Sequence, residues 1–126
     1  MNGPYRPGAC NIGPAELRRR RRSAVGVTAV ALVIAFGLVA NGAEPVYRVA
    51  LLPFAAGAAV TWLQVIRRFC VAFGAAGVRN FGALGRTDTV TYRAARAADR
   101  RTALRMILEG SLYGLIVTAV VVLLPR

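Results

Sequence analysis

The sequence predicts an all-α protein: three transmembrane helices with cytoplasmic helix extensions and an interfacial segment. Two observations predict it. Three apolar runs, residues 24–40, 49–66 and 107–124, each come close to the roughly 20 residues that a helix needs to cross a bilayer core. The arginines then lie almost wholly on one side of those runs. Arg6 and the block Arg18, Arg19, Arg20, Arg21 and Arg22 precede the first run, and nine more fall between Arg67 and Arg105. The short hairpin carries only Arg48 and the tail only Arg126. Cytoplasmic loops collect positive charge. The expected topology therefore puts the N-terminus and the 67–105 segment in the cytoplasm and the C-terminus outside. The expected location is a bacterial inner membrane.

Composition agrees with this class. The chain has 126 residues and is 56% hydrophobic, with a mean hydropathy of +0.51. A soluble three-helix protein would bury one stripe per helix, whereas these runs are apolar all round. The length allows one domain: a flexible leader over residues 1–12, then a single membrane domain over 13–126. A net charge of +12 and a pI near 11.6 would also suit a nucleic-acid partner. Here the arginines flank spans and do not cover one folded face, so nucleic acid is disfavoured. All basic residues are arginine, and alanine and glycine abound, which points to a high-GC bacterial coding bias. There is no histidine. The two cysteines, Cys10 and Cys70, fall on the expected cytoplasmic side, where thiols stay reduced. The first run has the basic flank of a secretory signal. It is longer than an ordinary signal core and no clear cleavage site follows, so a retained anchor is expected.

Residues 1–11 show no periodicity. Gly13-Pro14-Ala15-Glu16 reads as a helix start, because proline suits the first helical position and an acid suits the first turn. This helix is expected to carry the arginine block into the first span and stop at Asn41-Gly42. Glu44-Pro45 starts the second helix, antiparallel to the first. Pro53 then removes a hydrogen bond inside the span and favours a kink. Trp62 falls one turn before Arg67-Arg68, the depth that tryptophan favours. Residues 69–78 are apolar but too short to span. They read as an interfacial helix or an extension of the second helix, with Phe69 and Phe73 on one face. Four glycines between Gly74 and Gly85 then break regular structure. Thr87 or Asp88 is the expected cap of the third helix, running from Thr89 without a break into the third span. That helix would hold about 35 residues and measure roughly 50 Å. Val90, Ala94, Ala97, Leu104 and Ile107/Leu108 trace its apolar face.

Few residues carry chemistry. Gly110 and Gly114 form a GxxxG pattern that lets another backbone approach, most simply within the chain. Glu109 is the one carboxylate inside a span. Such acids mark ion paths by default, which gives the alternative of a small transporter component. The plainer expectation pairs it with Arg105 or with headgroups. Cys10 and Cys70 supply at most half a tetrahedral metal site, so a cytoplasmic-face thiol or metal site is a second alternative. The plainer reading makes Cys70 a small apolar packing residue. The Gly74–Gly77 and Gly82–Gly85 pairs follow no strand and lack the GK[ST] of a phosphate loop. No catalytic set assembles, and no enzyme activity or cofactor is expected.

Two stretches, CNIGPAEL at 10–17 and FCVAFGAAGVRNF at 69–81, resemble a set of small uncharacterised bacterial three-span membrane proteins. The resemblance implies no activity. It does imply that both cysteine-bearing stretches form one cytoplasmic-face feature. The expected function is therefore non-enzymatic: an accessory or scaffolding subunit. Arg18–Arg22, Arg67 and Arg68 would face anionic lipid headgroups, within a larger membrane complex or a homo-oligomer.

Overall fold

A computed structural model describes residues 5–125. The first four residues of the expected leader, and Arg126, lie outside the described residues. Helix α1 spans Pro14–Ala40, with Pro14 opening its first turn after an extended Gly13. It stops where Asn41 Nδ2 donates back to the Gly37 carbonyl at 2.6 Å and Gly42 takes a positive φ of 64°. That left-handed turn is the glycine stop expected at this point.

The second span is one rod in three pieces. Helix α2 covers Pro45–Arg48, a 3₁₀ turn covers Val49–Leu51, and α3 covers Leu52–Arg67. The tightened turn lies directly before Pro53, whose ring and missing N–H disturb regular α-helical bonding there. Helix α3 ends at Arg68, the only non-glycine with positive φ among the described residues (φ 53°, ψ 45°). Gln64 holds this turn: its carbonyl accepts from Phe69 N–H and its side-chain oxygen from Val71 N–H, at 3.1 and 3.0 Å.

Residues 69–78 thus do not prolong the second helix. They form a separate short helix, α4 (Val71–Ala76), and enter strand β1 (Val78–Arg79). Phe69 precedes α4 and is fully buried, so it shares no helix face with the half-buried Phe73. Strand β1 pairs antiparallel with β2 (Asp88–Thr89), and on its other side Ile12 bridges Asn80 in parallel. This ribbon corrects the third helix. Asp88 and Thr89 are used in pairing, so α5 begins at Arg93 and runs 31 residues to Leu123. Long-range strand pairing here overrides a local capping preference.

Helices α1, α2–α3 and α5 are each long and apolar enough to cross a membrane. Helix α3 shares interfaces with both α1 and α5. The buried line on α5 is Ala95, Asp99, Ala103, Met106, Gly110, Gly114 and Thr118. It is not the face drawn by the large residues: Leu104, Ile107 and Leu108 are 59%, 43% and 62% exposed. Close approach selects small residues. A Cβ on Gly114 would sit 2.5 Å from Ala56 Cα, and one on Gly110 3.0 Å from Val60 N. The glycine pair therefore packs α5 onto α3 within the chain. Below it Phe69, Ala103 and Met106 form a small apolar core.

Candidate functional site

The chain end that carries the arginines is closed by a polar cap. Its N-terminal stretch is not a loose leader over the described residues. Cys10, Asn11 and Ile12 are buried, and Asn11 clasps the Cys70 backbone twice. Its Nδ2 donates to Cys70 O at 3.1 Å, and its Oδ1 accepts from Cys70 N at 2.7 Å. An amide side chain satisfies both polar groups of one residue this way, as a strand partner would. Asn80 does a similar job one strand over, donating to Ala83 O at 3.0 Å and accepting from Gly82 N at 2.9 Å. The two cysteine-bearing stretches are thus one feature.

The thiols themselves have separate surroundings. Both are free and buried. Cys10 borders a cleft with Ile12, Leu17, Arg68 and Phe81. Cys70 Sγ accepts from Arg20 Nη2 at 3.0 Å. Arg20 also lies 3.8 Å from the Glu16 carboxylate and stacks 5.8 Å from the Phe73 ring centre. Among the described residues no group of three or more His, Cys, Asp or Glu side chains is placed to hold a metal.

A second clasp fixes the chain start to α5. Asp99 is fully buried, and its carboxylate accepts from Tyr5 OH and Gly8 N, each at 2.7 Å. Thr102 closes the clasp by donating to Gly8 O at 2.7 Å. A buried carboxylate is tolerated only with such bonds. Burial, and then the bond to Asp99, hold the Tyr5 phenol above its ordinary range. Arg79 stacks over the Tyr5 ring at 4.9 Å.

Glu109 pairs with Arg67 across the α3–α5 interface, not with Arg105 on its own helix. The carboxylate thus ties α3 to α5. At the opposite, hairpin end, Arg48 is fully buried. Its Nε donates to Ala43 O and its Nη1 to Val121 O and Leu124 O, at 3.0, 2.9 and 2.8 Å. A cation at a helix C-terminus satisfies free carbonyls and suits the helix dipole.

These arrangements leave an uneven surface. Of the fifteen arginines at the cap end, eleven are exposed, including Arg18, Arg19, Arg21, Arg22 and Arg68; Arg20 and Arg67 are half-buried. Three acids at that end point inward: Glu16 to Arg19 and Arg20, Asp99 to the Tyr5 clasp, Glu109 to Arg67. Asp88 is the one exposed acid there. Sequence reasoning missed Asn11, Asn80, Asp99 and Arg48. The one available signal was Asp99 as a lone acid within the 93–105 arginine helix. No known protein-family model, curated protein or solved structure matches this chain.

Proposed function

We propose that this is a non-enzymatic, multi-pass protein of the bacterial inner membrane, an accessory or scaffolding subunit that presents arginine to anionic lipid headgroups. The N-terminus and cap lie in the cytoplasm and the C-terminus outside. The observation that carries this reading is the separation of charge at the cap: three of its four acids are tied up in contacts within the chain, and eleven of its fifteen arginines are exposed. Arg21 and Arg22 stand next to the apolar part of α1, and Arg68 ends the second span. Each such residue near an anionic surface adds about 1 kcal/mol before screening. The arginine fork also fits a phosphate bidentately.

The test uses the full chain in nanodiscs. Thermal stability should rise with the fraction of anionic lipid, and the rise should shrink in high salt. Replacing Arg18–Arg22 by glutamine should remove most of it. Equal stability in anionic and zwitterionic discs would refute the lipid reading. A reporter fused near Arg86 should behave as cytoplasmic, and one after Arg126 as external. A cytoplasmic C-terminus would refute the threading.

A further inference from the structure

We infer that the start of α5 is a binding site for a soluble nucleoside phosphate, a reading that goes beyond lipid contact and uses a different set of arginines. Arg93, Arg96 and Arg100, with Thr91 and Ala97, line a cleft of about 430 Å³. Among the described residues no carboxylate borders it. Holding three guanidinium groups on one helical face costs repulsion that an anion relieves. Arg96 is laid against the Gly77 backbone, where even a Cβ would come within 3.0 Å of its Nε, and that buried Nε has no hydrogen-bond partner. One guanidinium of the cleft is thus packed against Gly77 with its Nε donor unused.

Depth separates this cleft from the headgroups. Arg93 and Arg96 lie 14 and 11 residues before Ile107, where the apolar part of α5 begins. At 1.5 Å per residue these are about 21 and 16 Å along a straight axis. The headgroup layer extends only about 5–8 Å beyond the hydrocarbon. These arginines therefore reach past lipid phosphate into water.

A second cleft adjoins the first at Thr91, which lines both. It measures about 490 Å³ and is bordered by Tyr5, Pro7, Arg79, Thr89, Val90 and Tyr92, among others. Tyr92 is 75% exposed and makes no side-chain cap for α5. An open aromatic face beside a cationic cleft suits a ligand with a flat base at one end and phosphate at the other. Both volumes fall in the range of small-molecule sites.

The experiment titrates the full-length protein in nanodiscs of zwitterionic lipid with adenosine diphosphate, adenosine, inorganic diphosphate and dioctanoyl phosphatidic acid. Adenosine diphosphate should bind saturably at one per chain, and adenosine should not bind. The double variant R93Q/R100Q, which keeps Arg96 on Gly77, should weaken binding about tenfold or more. Y92A should weaken adenosine diphosphate several-fold and leave inorganic diphosphate unchanged. R18Q/R21Q/R22Q should leave both unchanged while still reducing the response to anionic lipid. Non-saturable binding, or an equal loss in R18Q/R21Q/R22Q, would overturn the site. Inorganic diphosphate binding as tightly as the nucleotide would overturn the nucleoside assignment. Phosphatidic acid binding as tightly would overturn the soluble source.

Discussion

Helices α1 and α5 are built to one plan and packed in opposite ways. Each starts with arginines and ends as an apolar rod. Yet only 6% of the apolar stretch of α1 is buried, against 28% for that of α5. Apolar content does not explain this, since the apolar stretch of α1 is the more apolar of the two. The difference lies in the small residues. Gly110 and Gly114 bring α5 onto the backbone of α3, while nothing lies within 4 Å of a Cβ placed on Gly26 or Gly37 of α1. In lipid, where oil offers no drive to associate, close backbone approach decides which helices pack.

The largest expected effect is therefore at Gly114. Gly114→Leu should destabilise the protein by about 3 kcal/mol, the upper part of the range for overpacking, in reversible unfolding in detergent. If it cost no more than Gly26→Ala, the contrast between the two helices would fail. Next comes the far end of α5. Arg48→Met deletes three hydrogen bonds to carbonyls and should cost about 2–3 kcal/mol, with faster hydrogen exchange near Val121 and Leu124. Unchanged exchange there would show that α5 needs no clamp.

The contact between α1 and α3 should be cheaper to cut. Trp62 Nε1 donates to Thr28 Oγ1 at 2.7 Å. Trp62→Phe should cost about 1 kcal/mol by the same unfolding measurement. A loss equal to that of Gly114→Leu would mean that α1 is held far more firmly than its burial implies.

The smallest effect concerns the clasp on the arginine-bearing start of α5. The Tyr5 phenol should ionise above the ordinary tyrosine value of about 10, read from its ultraviolet titration. Its folded pKa is raised, so the clasp is fully present below the unfolded value and is lost as pH rises through the folded one. Tyr5→Phe should abolish this alkaline step. A titration at the ordinary value would mean that Tyr5 is not bonded to Asp99.

The sequence made the rods legible and hid what joins them. Pro14, Asn41-Gly42 and Pro45 mark helix ends through backbone chemistry that acts locally, and the structure ends its helices there. The GxxxG pair was legible for the same reason: lacking a Cβ, glycine announces close approach wherever it lies. The cap was not. Asp99 sits among arginines and reads as a solvated charge until Tyr5 and Gly8 arrive from more than 90 positions away. Asp88 is a good helix cap in isolation, and only its pairing with Arg79 reveals a strand. Glu109 had Arg105 one turn away, and the inter-helix geometry chose Arg67 instead.

The Tyr5–Asp99 bond spans a sequence separation of 94 residues, and Thr102 reaches Gly8 across the same 94. At about 5–20 residues per second, a ribosome needs roughly 5–19 s to make that stretch. Until then Tyr5 and Gly8 lack Asp99, although α1 is complete well before. Asn11 waits in the same way for Cys70, 59 residues on. The cap therefore cannot close until the start of α5 has been made, and slow synthesis prolongs the interval in which Cys10 and the neighbouring backbone are uncovered.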